Sequence, residues 1–153
     1  MKAELDVQYA TAEQNLPTLE DIQTWVDTCL SPYAKTYGVC VRIVDNPESQ
    51  QLNSQYRNKH KPTNVLSFVF ETPECVDQTV EMIGDLVICA PVVAQEASDQ
   101  NKQLFDHWAH MVIHGILHLL GFDHIEAADA EEMERLEREL LAKLQITDPY
   151  LQT

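Results

Sequence analysis

The chain has 153 residues, 44% of them hydrophobic, and a formal charge of −15. That length and apolar content predict one globular domain over residues 1–153 with a core of its own, and no apolar run is long enough to cross a bilayer. Taken alone, the acidic excess argues against nucleic acid as a partner, because phosphate binding rests on Lys and Arg.

LDVQYA (5–10) alternates and predicts a strand. TLEDIQTWVDTCL (18–30) predicts a helix. Thr18 can cap it, Asp21 completes the box, and Leu19, Ile22, Val26 and Leu30 recur at helical spacing. GVCVRIV (38–44) is β-branched and alternating, hence a strand. Pro47 opens a short helix, ESQQLNSQYR, with Leu52 and Tyr56 one turn apart. NVLSFVF (64–70) and IGDLVICA (83–90) predict strands, with ETPECVDQTVEM between them as a loop. Pro91 starts another short helix, PVVAQEASDQ. A long helix over 102–120 stops at Gly121, a suitable C-terminal cap. A last helix, from about Ala127 to Leu144, carries the apolar stripe Met133, Leu136, Leu140, Leu144 and is otherwise charged. The expected fold is α/β (α+β), with a single four-stranded mixed sheet and about five helices.

Compartment and charge distribution add two expectations. MKAELDVQYA lacks the apolar segment of a signal peptide, which predicts a cytoplasmic protein. Cys29, Cys40, Cys75 and Cys89 form no CxxC pair and are expected to be reduced and mostly buried. Acid concentrates in EAADAEEMERLERE, whereas three of the ten Lys and Arg fall in RNKHK, 57–61. A local basic patch on an acidic protein can still hold a phosphate.

The helix over 102–120 places His107, His110, His114 and His118 within an arc of about 80°. Its other directions are apolar, so it is expected to be central and buried. His114 and His118, one turn apart, can reach a common point. Gly121 reverses the chain and brings back His124. Three histidines with a fourth position left for water make the layout of a catalytic zinc site; a structural site is closed by four protein ligands. Another transition metal is possible, because imidazole does not select sharply. His107 and His110 are expected to be ordinary core or surface histidines that at most line the cleft or support a ligand.

The spacing matches the metzincin pattern H-E-x-x-H-x-x-G-x-x-H, except that Gly115 occupies the glutamate position. That glutamate is the protease's general base. Its absence argues against peptide hydrolysis and leaves phosphodiester hydrolysis, which needs mainly positive charge and positioning. Arg57 is then the candidate phosphate partner, because arginine binds phosphate bidentately. Lys59 and Lys61 suit a solvated turn equally well. Thr63, Asn64 and Ser67 can line the groove or serve the turn, and Asp123 or His110 can orient a ligand or relay a proton.

Three stretches together resemble one family. HGILHLLGFDH (114–124) is similar to an H-G-x-L-H-L-x-G-Y-D-H signature. YRNKHKPTNVLSF (56–68) is similar to an arginine followed by K-P-T-N-V-L-S-F, and GDLVIC (84–89) to a G-D-I-x-I strand. These are hallmarks of the YbeY family of bacterial rRNA maturation factors, and they span the middle and C-terminal two-thirds of the chain. Phe122 stands where tyrosine is usual. The resemblance implies a single-strand-specific metallo-endoribonuclease acting on the 3′ end of 16S precursor rRNA and in ribosome quality control. It implies zinc on His114, His118 and His124, and a functional role for Arg57. It further implies partners on the small ribosomal subunit, including a ribosomal protein and an assembly GTPase. Three alternatives stay open: a non-catalytic ribosome-assembly factor with a structural metal, a metalloprotease-like hydrolase, and a different metal-dependent phosphoesterase.

Overall fold

The computed structural model describes residues 3–33, 36–69, 80–122 and 127–150. In chain order these form β1 (Ala3–Ala10), α1 (Leu19–Leu30), β2 (Thr36–Val44), α2 (Asn46–Arg57), β3 (Val65–Val69), β4 (Val80–Cys89), α3 (Ala90–Asp99), α4 (Leu104–Leu119) and α5 (Ala127–Lys143). Every predicted element is present. The sheet runs β1-β2-β4-β3. β1 and β4 pair parallel with β2, and β3 is antiparallel to β4. The expected mixed, four-stranded α+β architecture is therefore observed.

Local chemistry accounts for most boundaries. The Thr18 hydroxyl accepts from the Asp21 amide at 3.1 Å, and the Asp21 carboxylate accepts from the Thr18 amide at 2.9 Å. That is the capping box expected at α1. α4 ends on a Schellman motif: Phe122 N–H donates to the Leu117 carbonyl at 3.0 Å and Gly121 N–H to His118 at 3.1 Å, with Gly121 at φ +104°. β4 begins earlier than expected. Residues 80–82, read from sequence as loop, pair with Thr36, Tyr37 and Gly38. Val80, Glu81 and Met82 join the ladder because their backbone groups find partners on β2. The rest of the expected loop, 71–79, lies outside the described residues.

Alternation divides the core between the two faces of the sheet. Val39, Val41, Ile43, Leu86 and Ile88 pack with α1, α4 and α5 in the main core, whereas Val44, Leu66, Val87 and Cys89 form a smaller cluster with Leu52 of α2. α4 is the central helix, as its apolar periphery requires. Cys29, Cys40 and Cys89 are free thiols, two of them buried.

Gly84 sets how closely β3 and α4 approach. The β2–β4 register slips at this point, with Gly38 opposite Met82 and Val39 opposite Gly84. A Cβ on Gly84 would lie 2.2 Å from the Phe68 carbonyl oxygen and 2.6 Å from Leu119 Cδ2. Neither the strand backbone nor the packed leucine can yield cheaply. Gly84→Ala should therefore lower stability by about 3 kcal/mol, read as a lower urea midpoint with unchanged slope. A wild-type midpoint would mean that β3 moves freely.

Candidate metal centre

The site is built on α4. From His107 to Leu119 the helix is buried except at two positions, His114 and His118, which stay partly open. The His114 ring is contacted at both of its nitrogens. His114 Nδ1 lies 2.6 Å from Glu137 Oε1, and its Nε2 lies 3.1 Å from His118 Nε2. A carboxylate only accepts, so the network assigns the proton to Nδ1 of His114 and leaves its Nε2 with a lone pair. Two ligands of a tetrahedral zinc at 2.0–2.1 Å stand about 3.3 Å apart. The pair at 3.1 Å comes close to that spacing, so His114 and His118 suit a metal at their Nε2 atoms. The third expected ligand, His124, and Asp123 lie outside the described residues.

Glu137 anchors the arrangement, and the sequence reading missed it. It is fully buried at 0% exposure. Its Oε2 accepts from His110 Nε2 at 2.7 Å and from the Tyr150 hydroxyl, while Oε1 takes His114. Burial pushes its carboxyl up, but the hydrogen bonds that it accepts from His110 and His114 outweigh this and hold it well below the usual carboxylate range. Burial pushes the His110 imidazole down, which favours the neutral ring. Tyr150 is in turn covered by the Arg138 guanidinium, 5.3 Å from its ring centre.

His110, His114 and Glu137 bring ligand atoms within 4.8 Å of one another, a group that can hold a metal ion. The distances within it favour another use. Contacts of 2.6 and 2.7 Å are hydrogen-bond lengths, and both carboxylate oxygens are already engaged. Two ligand atoms on one metal would stand further apart. Glu137 therefore fixes the ring of His114, as carboxylates commonly do behind a ligating imidazole.

The absent glutamate has a packing explanation. A Cβ on Gly115 would meet Leu86 Cδ2 at 2.8 Å, Leu86 Cδ1 at 3.1 Å and Val65 Cγ2 at 3.3 Å. Position 115 faces the sheet, and the Ser67 hydroxyl donates to its carbonyl at 3.3 Å. α4 lies so close to β3 and β4 that a carboxylate there would be buried in the core. No protease base can stand at this position.

Arg57 lines the same cleft as His114 and His118, a space of about 830 Å³ that also touches Tyr56 and residues 64–69. Its position follows from how the loop after α2 is tied. Asn58 caps the helix in the left-handed conformation, φ 56°. Buried Asn53 donates to the Lys61 carbonyl at 2.8 Å, and buried Ser49 donates to the Thr63 carbonyl at 3.0 Å. Thr63 thus serves the turn. Asn64 lines the cleft, but its amide is bound to both Glu96 oxygens at 3.2 Å, and Glu96 also takes His107 at 3.0 Å. Lys59 and Lys61 are exposed and do not line the cleft.

Known proteins resemble this chain throughout. A family model described as endoribonuclease YbeY matches residues 6–145. A relative from Colwellia psychrerythraea, named endoribonuclease YbeY, is 52% identical over 152 residues, 97% of each chain. One of the same name from Pseudoalteromonas translucida is 53% identical over 150 residues, 98% of this chain and 97% of its own. The solution structure of TM1509 from Thermotoga maritima shares the fold, with a TM-score of 0.58 at 22% identity over 95% of this chain and 99% of that one.

Proposed function

The chain belongs to the endoribonuclease YbeY family, and from that membership we propose a single-strand-specific, zinc-dependent endoribonuclease that acts in rRNA processing. Residues 1–153 work as one metallo-endoribonuclease domain. Its substrate is the 3′ end of 16S precursor rRNA, and the same activity serves ribosome quality control. The observation that carries this reading is the convergence of the His114–His118 nitrogen pair and Arg57 on one cleft. His114, His118 and His124 are the proposed ligands. A bound zinc ion would supply positive charge and lower the pKa of a water.

The chain's own residues do the rest. Glu137 keeps His114 protonated at Nδ1, so that Nε2 faces the cleft. Arg57 binds the non-bridging oxygens of an RNA phosphate and offsets the charge that develops on them. Gly115 offers no carboxylate that could serve a peptide bond. No helix among the described residues is long and apolar enough to cross a membrane. With a formal charge of −15, free RNA should bind weakly. The family resemblance supports a protein that works in the cytoplasm on the small ribosomal subunit, with a ribosomal protein and an assembly GTPase as partners, and weak binding of free RNA fits such a tether.

Arg57→Ala tests the phosphate role. Losing one charged donor at a developing oxyanion costs about 10²-fold in rate. Cleavage of end-labelled single-stranded RNA should fall by that order with zinc content unchanged. Undiminished cleavage would remove Arg57 from the mechanism.

A further inference from the structure

Tyr56 precedes Arg57 in the last turn of α2. Its spacing from Leu52 suits the packed face of that helix, yet its side chain is 60% exposed. Phe68 of β3 packs against it edge to face, with ring centres 5.1 Å apart and planes at 71°. Both rings line the cleft that holds Arg57, His114 and His118, and Val69, also 60% exposed, extends the same wall. An aromatic side chain that is fixed from one side and open on the other, beside a phosphate-binding arginine, is a surface of the kind on which nucleobases stack.

We propose that Tyr56, braced by Phe68, stacks on an unpaired base of the RNA adjoining the phosphate held by Arg57. This rests on the nuclease reading above and explains its strand preference. In a duplex both faces of each base are covered by neighbouring pairs, whereas an unpaired base can leave the stack and lie on a side chain. Stacking also supplies what the charge withholds. Arg57 is the one Lys or Arg among the described residues lining the cleft, so the electrostatic contribution is small. One stacked base is worth about 5- to 150-fold in affinity and does not depend on its identity. The platform selects strandedness without selecting sequence.

The test uses a short single-stranded RNA carrying 2-aminopurine, whose fluorescence is quenched on stacking, read at low salt before cleavage accumulates. Wild type and Tyr56→Phe should bind alike and quench the probe. Tyr56→Ala should bind about 5- to 150-fold more weakly, without the quench, while kcat at saturating RNA and the thermal midpoint change little. A duplex probe should bind all three equally. Equal affinity of Tyr56→Ala and wild type for the single strand would overturn the proposal, as would an equal loss on both probes. If the wild type quenches the probe through Tyr56 but cleaves no RNA, the platform stands and the nuclease reading falls. If it cleaves RNA and Tyr56→Ala matches it throughout, the nuclease reading stands and the platform falls. No binding by the wild type would overturn both.

Discussion

Replacing His114 with alanine should abolish cleavage of end-labelled single-stranded RNA by the purified protein. On the proposed ligand set the metal is the electrophile of the site, and His114 supplies one of its nitrogens. A metal contributes several kcal/mol to a phosphoryl transition state, so losing it costs about 10³-fold or more. His114→Ala also frees Glu137 Oε1, which is buried. His118→Ala is the cleaner companion, because it removes the partner nitrogen and leaves the bonds of Glu137 to His110, His114 and Tyr150 untouched. Both variants should lose zinc and activity together, while the His118 variant melts like wild type stripped of its metal. Wild type and variants purified side by side also control for contaminating ribonuclease. If all three cleave equally, the activity is a contaminant or the metal takes no part in the chemistry. The protein would then act as an assembly factor.

The part of this site that was legible in the sequence was the part governed by local periodicity. His114 and His118 are one helical turn apart, and Gly121 is the residue that a Schellman stop requires. The capping box at Thr18 and the β-branched strands are likewise written within a few residues. The unread part depends on long-range contact. Glu137 lies 23 residues from His114 and looked like one more acid on a charged helix. One signal could have exposed it: it falls one turn after Met133, between Met133 and Leu140, on the stripe that faces the core. A carboxylate there needs donors, and the neighbouring buried helix offers a row of imidazoles. Ser49 and Asn53 were hidden in the same way, as short polar residues on α2 whose targets, Thr63 and Lys61, lie across a loop. Gly115 was read as a missing base. Its spatial role appears only once α4 is laid on Leu86 and Val65.

Glu137→Ala should cost both stability and metal affinity. The substitution strands His110 Nε2, His114 Nδ1 and the Tyr150 hydroxyl without their acceptor, in a position at 0% exposure. Removing a buried carboxylate that several groups share as acceptor costs about 3–5 kcal/mol, because its donors are left without a partner. Loss of the carboxylate behind a ligating imidazole weakens metal binding by about 10–100-fold. Chemical denaturation reads the first effect, and competition with a zinc chelator, measured on the folded fraction, reads the second. Glu137→Gln separates geometry from charge. It keeps the volume, but its amide nitrogen would oppose one of the imidazole donors. It should therefore bind zinc more weakly than wild type and yet still bind one ion. The pair also discriminates between donor sets. If Glu137 were itself a ligand alongside His110 and His114, Glu137→Gln would lose the ion and His118→Ala would keep it. If Glu137 only holds His114 in place, His118→Ala loses the ion and Glu137→Gln retains it at reduced affinity.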